Sequence, residues 1–205
     1  MSLSQDDIRT SLDAVADRDP ILAQIIADIG YPAARIRPAG YETLLRTILG
    51  QQVSVHAAAA VWHRLENLVG PGAGPGALLA QSVEDLRGCG LSRQKIGYVQ
   101  SLAMLVESGE VDLHALPSDD EAAIAELVRI KGIGRWSAEI YLLFAEGRTD
   151  IWPAGDLAVQ IQSGRWAGMS ERPSEAETRA MAENWRPHRG AVALLAWHQY
   201  NSVVI

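Results

Sequence analysis

The sequence predicts an all-α fold, on three observations. Apolar residues recur at three- and four-residue spacing through most of the 205 residues, no stretch alternates apolar and polar residues as a half-buried strand would, and glycine, proline and short polar residues break the stripes at helix-sized intervals. Ile21, Leu22, Ile25, Ile26 and Ile29 form one stripe, Leu44, Leu45, Ile48 and Leu49 another, and Ala57, Ala60, Val61, Leu65 and Leu68 a third. Residues 71–76, a run of glycine, proline and one alanine, read as a flexible loop. Ser82-Val83-Glu84-Asp85 opens a short helix, and Ile96, Val99, Ala103 and Val106 mark a longer one. After Pro117, Ser118-Asp119-Asp120-Glu121 has capping-box spacing, and Ile124, Leu127 and Val128 carry that helix to about Ile130. Lys131-Gly132-Ile133-Gly134 interrupts it. Trp136, Ile140, Leu143 and Phe144 then follow at helical intervals until Gly147 supplies a stop. Ser174-Glu175-Ala176-Glu177 opens a further helix, and Val192, Leu195, Ala196 and Gln199 face inward from the last.

Composition bounds the function. With 48% apolar residues the chain can bury a sizeable core, as one domain or two interlocked small ones. The N-terminus is acidic, and no apolar run approaches the roughly 18 residues a bilayer requires. A cytoplasmic, monomeric protein with no membrane contact is expected. Cys89 is the only cysteine, which excludes an internal disulfide and a four-cysteine iron–sulfur cluster. The five histidines show no zinc-ligand spacing and the acids no two-metal constellation, so no catalytic metal is expected. The net charge of -7 argues against a nucleic-acid partner. Its distribution weakens the objection, because six acids within the first 30 residues face only Arg9 and Arg18. Arg129, Lys131 and Arg135, with Arg165, Arg172, Arg179, Arg186 and Arg189, can supply local positive potential, although each alone is as well explained as solvated surface.

The hairpin at residues 131–134 carries the chemical signal. Two glycines around one apolar residue, at the start of a helix, let the backbone approach a ligand with several N–H groups converging, a nest that holds phosphate without reading sequence. A plain tight turn between helices would look similar; flanking Arg129, Lys131 and Arg135 favour phosphate. Twenty residues beyond Trp136, Trp152-Pro153-Ala154-Gly155-Asp156 ends in a carboxylate. Asp156 also suits the N-cap of a helix over Leu157 to Ile161, and the two roles can coexist.

Residues 127–138 followed by Asp156 resemble the helix-hairpin-helix DNA glycosylase superfamily (HhH-GPD). Ile48-Leu49-Gly50-Gln51-Gln52-Val53-Ser54, Gly90-Leu91-Ser92-Arg93-Gln94-Lys95 and Trp185-Arg186-Pro187-His188-Arg189 are similar to its 3-methyladenine DNA glycosylase II branch, and the likeness runs from about Tyr41 to Tyr200. This resemblance implies two helical subdomains with the reactive cleft between them. Residues 35–115 would form the central one, and residues 1–34 with 116–205 the second, carrying hairpin and carboxylate. It implies a monofunctional hydrolase that flips an alkylated purine, such as 3-methyladenine or 7-methylguanine, out of double-stranded DNA and cleaves its bond to deoxyribose in base excision repair. Asp156 would be catalytic, and Lys131, Gly132, Ile133, Gly134 and Arg135 would bind DNA.

Trp136 stands where bifunctional members carry lysine, and tryptophan cannot form their Schiff base. Trp136 and Trp197 would line the base pocket, with Ile140, Leu157 and His198 beside them; as helical-stripe aromatics, both tryptophans also suit a core. Gln52 is the candidate for the side chain that fills the gap in the stack, if Gly50 to Ser54 is more than a helix junction. The hairpin would hold a monovalent cation on the carbonyls of Val128, Ile130 and Ile133. A glycosylase for deaminated or oxidised bases, and a noncatalytic DNA-binding protein that kept the hairpin, are the competing readings.

Overall fold

The computed structural model describes residues 3–203, and among them no strand occurs. In chain order the helices are α1 (Gln5–Ala16), α2 (Pro20–Ile29), α3 (Tyr41–Gly50), α4 (Val55–Val69), α5 (Pro75–Leu79), α6 (Val83–Gly88), α7 (Arg93–Glu107), α8 (Asp120–Val128), α9 (Arg135–Tyr141), α10 (Leu157–Trp166), α11 (Glu175–Met181) and α12 (Arg189–Val203). A π-helical turn, Leu142–Glu146, follows α9, and a 3-10 turn, Ala182–Trp185, follows α11. No helix of the described residues is long and apolar enough to cross a membrane.

Side-chain caps set most helix starts. Ser4 and Ser174 form capping boxes with Asp7 and Glu177, while Asp19, Ser54, Ser82 and Ser92 each accept an N–H from the first turn. The cap of α8 is Asp119, bonded to Ala122 N at 2.8 Å, one residue later than the Ser118 box expected from sequence. Helix α1, which buries Ile8, Leu12 and Val15, was not among the expected elements.

The chain divides into two compact units, Pro38–Tyr141 and Met1–Arg37 with Leu142–Ile205. In the first, α3 lies against α4 and α7, and Leu44, Ile48, Leu49, Leu65, Leu102 and Leu127 are fully buried. In the second, α12 packs on α1, α2 and α10, and Trp185 meets the edges of Trp152 and Trp166 with ring centroids 5.3 and 5.7 Å away. Such aromatic contacts add about 0.5–1.5 kcal/mol each beyond their buried area.

These boundaries differ from the expected division into 35–115 and 1–34 with 116–205, chiefly in where residues 116–141 fall. Hairpin residues 131–134 belong to the central unit because Lys131 N donates to Ser101 Oγ (3.1 Å), Gln51 Nε2 donates to Gly132 O (2.7 Å), and Gly132 lies against the Tyr98 ring. Those bonds tie the hairpin to α3 and α7. The first two and last two residues of the expected 1–205 span lie outside the described residues.

Candidate active site and nucleic-acid interface

Asp156 is held by local sequence. It is the N-cap of α10, with φ -74° and ψ 131°, and its Oδ1 accepts from Ala158 N (2.9 Å), Val159 N (3.1 Å) and Trp197 Nε1 (3.0 Å). The candidate carboxylate is thus also the helix cap. The side chain is half-buried, and three donors on one oxygen fix its orientation.

The preceding loop is pinned at both ends. At its start, Gly190 N donates to Thr149 O (2.8 Å), and the buried Arg189 guanidinium donates to Asp150 at 2.9 and 3.0 Å and to Glu183 at 3.1 Å. A Cβ on Gly190 would sit 2.7 Å from Leu143 Cδ1 and 2.8 Å from Thr149 O, so only glycine fits. Further along, Trp152 Nε1 donates to Thr178 O (3.0 Å) and Gln160 Nε2 to Ala154 O (2.8 Å). Arg189 therefore positions the Asp156 loop. Its expected role as a source of positive potential for DNA is corrected, because two carboxylates neutralise it inside the protein.

Trp197 continues from Asp156 into an aromatic group. Its ring centroid is 5.6 Å from that of Phe144, which lies in the π-helical turn, a geometry concentrated at functional sites. Arg37 lies over the other partner, its guanidinium carbon 5.8 Å from the Phe144 centroid and its N–H donated to Phe144 O. Sequence reasoning placed Phe144 on a stripe and passed over Arg37. Leu157 is 51% exposed next to the cap. His198 Nε2 is within 3.0 Å of Ile29 O, which ties the ring to the end of α2.

In the central unit the hairpin is built from backbone. Ile130 N donates to Leu127 O and Ile133 N to Ile130 O, turning the chain, while the Ile133 side chain is buried as its anchor. Gly132 has φ +88°, and a Cβ there would lie 2.4 Å from the Tyr98 ring, so glycine is required twice over. Gly134 is the opposite case: a Cβ would meet no protein atom within 4 Å, leaving space for a ligand to approach the backbone. Trp136, two residues on, is 48% exposed, whereas Ile140 is buried.

The expected basic rim shrinks. Arg135 donates to both oxygens of Glu121 and to Glu139 Oε1 (2.9 Å), and these carboxylates push its pKa upward. Its charge is therefore largely compensated within the protein. Arg129 likewise pairs with Glu110 and Glu126, Arg179 with Glu175, and Arg186 with Asp150 and Glu183. Lys131, Arg165 and Arg172 are exposed and enter no ion pair among the described residues.

The loop after α3 also departs from a plain junction. Gln52 is exposed with φ +57°, the one non-glycine residue with positive φ among those described, while Val53 and Val55 are 45% and 89% exposed. A left-handed non-glycine residue is strained by about 1–2 kcal/mol, and such strain concentrates at functional sites. Ser54 starts α4 immediately afterwards by capping Ala57 N (3.2 Å). Among the described residues no group of three or more His, Cys, Asp or Glu could hold a metal ion.

Comparison with known proteins identifies the family. A family model described as HhH-GPD superfamily base excision DNA repair protein matches residues 45–187. DNA-3-methyladenine glycosylase 1 of Schizosaccharomyces pombe is 31% identical over 161 residues, 77% of this chain and 71% of that protein. DNA-3-methyladenine glycosylase 2 of Escherichia coli is 29% identical over 168 residues, covering 77% of this chain but 57% of that longer protein. Among solved structures, a DNA-3-methyladenine glycosidase from Bacillus halodurans aligns with TM-score 0.88 and 30% identity over 95% of this chain and 90% of that one. A 3-methyladenine DNA glycosylase of S. pombe in complex with abasic DNA aligns with TM-score 0.77 and 27% identity over 96% and 97%. The chain belongs to the HhH-GPD superfamily of base excision DNA repair proteins.

Proposed function

We propose that this protein is a monofunctional DNA glycosylase acting as a monomer on duplex DNA, releasing alkylated purines such as 3-methyladenine and 7-methylguanine after flipping them from the stack. The observation that carries this reading is the Asp156 carboxylate, oriented through Oδ1 by two backbone N–H groups and the Trp197 indole. Alkylation at a ring nitrogen makes the base cationic and a good leaving group. The bond from C1′ to the base nitrogen breaks with its electron pair going to the base, and positive charge develops on the sugar. A fixed carboxylate stabilises that charge and accepts the proton of the water that bonds to C1′.

The other residues divide the remaining work. The exposed Trp136 indole offers a face to an electron-poor base, with Trp197 as second aromatic, and neither can form a Schiff base, so the sugar–phosphate backbone stays intact. Gln52 fills the gap left by the flipped base. The Gly134 backbone and exposed Lys131 grip phosphate. Carbonyls of Val128, Ile130 and Ile133 are neutral oxygen donors of the kind that suits a monovalent cation, which when bound would bridge hairpin and phosphate.

Asp156→Asn tests the reading. Asparagine keeps an Oδ1 acceptor for all three N–H donors and loses only the charge, so the fold is expected to persist while base release falls by about a hundredfold or more. Free 3-methyladenine and 7-methylguanine are measured by chromatography after incubation with methylated duplex, and strand breaks by gel. Release by wild type without breaks supports the proposal. No release by either folded, DNA-binding protein would point to another lesion or to a noncatalytic binder.

A further inference from the structure

The loop carrying Gln52 begins at an unusual helix end. Helix α3 finishes at Gly50, and the last carbonyls of any helix lack intrahelical donors. Gln51 N reaches Ile48 O at 3.3 Å, and the next carbonyl, Leu49 O, is taken by Lys95 Nζ at 2.6 Å. Lys95 stands in the first turn of α7, three residues after its Ser92 cap, and is half-buried. An ammonium on a helix C-terminal carbonyl is favoured by both the hydrogen bond and the helix dipole. Burial pushes the Lys95 pKa down, so the ammonium is held here against a desolvation cost.

The same face of α7 supports the hairpin. Tyr98, which accepts from Gln94 Nε2 at 2.6 Å, lies under Gly132, and Ser101 Oγ accepts Lys131 N. Gln51 closes the circuit by donating to Gly132 O. One turn-spaced row, Lys95, Tyr98 and Ser101, thus fixes both the start of the Gln52 loop and the hairpin within the central unit.

We propose that Lys95 is a positioning residue for base extrusion: by fixing Leu49 O it sets the backbone that holds Gln52 in its left-handed conformation and aims its side chain into the stack. This inference rests on the glycosylase reading for its purpose, and on the geometry of the central unit for its structure. Lys95 acts through Gln52 and does not touch DNA.

The test uses duplex DNA with 2-aminopurine at the target position, whose fluorescence rises when the base leaves the stack, alongside affinity by anisotropy and melting by circular dichroism. Lys95→Met is expected to lose most of the fluorescence rise, about fivefold or more, with affinity unchanged within about twofold. Lys95→Arg, which keeps a cationic donor, retains most of the rise. Gln52→Ala loses it as well, and Lys95→Met added to Gln52→Ala causes no further loss, because coupled residues are not additive. Independent losses in the double variant overturn the proposal. So does a weaker affinity with the salt slope reduced by about one, the sign of a phosphate contact. Absence of any rise with folded wild-type protein overturns it too. Normal extrusion by Lys95→Met with base release intact removes Lys95 and leaves the glycosylase reading standing. A Lys95-dependent rise in a wild type that releases no alkylated base does the reverse.

Discussion

The Asp156 loop and the hairpin face present two ways of holding candidate functional groups still. Asp156 is fixed by two backbone N–H groups of its own helix together with a network of side chains: Trp197 on the carboxylate, Gln160 and Trp152 on the loop, and Arg189 at its start. The hairpin and the Gln52 loop are fixed through their backbones, by a glycine against an aromatic ring, a carbonyl under Gln51 and a carbonyl under Lys95. A reacting carboxylate must be placed to fractions of an ångström, which rigid side-chain networks achieve. A surface that grips phosphates must leave backbone bare. The two regions should therefore fail differently when altered.

Gly132→Ala is the largest expected break. Left-handed φ and a 2.4 Å approach to the Tyr98 ring together should cost about 2–5 kcal/mol, read as a lower midpoint in urea. A neutral result would mean that Tyr98 moves aside and that the hairpin is not built on it. Next comes Trp197→Phe, which removes one of the three donors on Asp156 Oδ1 and leaves both backbone N–H bonds in place. Single-turnover base release should fall about tenfold, with duplex affinity and melting little changed. Equal rates would reduce Trp197 to a core aromatic.

Gly134→Asp sharpens the contrast within one turn. A side chain there meets no protein atom, so folding should be unaffected, while charge and bulk in the phosphate nest should weaken duplex binding about tenfold. Intact affinity in a folded variant would remove the hairpin from the DNA interface. Two glycines two residues apart thus separate structure from grip.

Much of this was legible in sequence because it lies in short, ordered signals. The stripes gave the helices, the Gly-Ile-Gly run gave the hairpin, and Gly155-Asp156 gave a carboxylate that is both cap and candidate catalyst. What escaped was partnership across distance. Lys95 is conspicuous within its motif, but its acceptor is a main-chain oxygen 46 residues earlier, which no side-chain pattern encodes. Arg135 looks like a phosphate ligand from its neighbours, and only the approach of Glu121 and Glu139 compensates its charge. The boundary of the central unit was misplaced for the same reason, since periodicity marks a buried face without saying which helices cover it.

Tyr41 supplies a control away from both regions. Its hydroxyl is buried without a hydrogen-bond partner among the described residues, and burial, then the nearby Glu107 carboxylate, push the phenol well above its ordinary value. Phenylalanine should therefore be neutral or stabilising by up to about 1 kcal/mol at neutral pH, because no bond is lost and an unsatisfied polar atom is removed. The raised pKa also has a sign. Above the ordinary phenol value, about 10, the unfolded chain gives up a proton that the folded protein keeps, so Tyr41 contributes a loss of stability as pH rises. Tyr41→Phe should flatten that alkaline decline, measured as the difference in melting between about pH 8 and about pH 10.5. Base release at neutral pH should not change, since Tyr41 lies at the opposite end of α3 from the Gln52 loop. A lost activity here would mean that the central unit transmits strain from its core to its DNA face, and that the backbone-held region is less independent of its scaffold than Gly134 and Gln52 suggest.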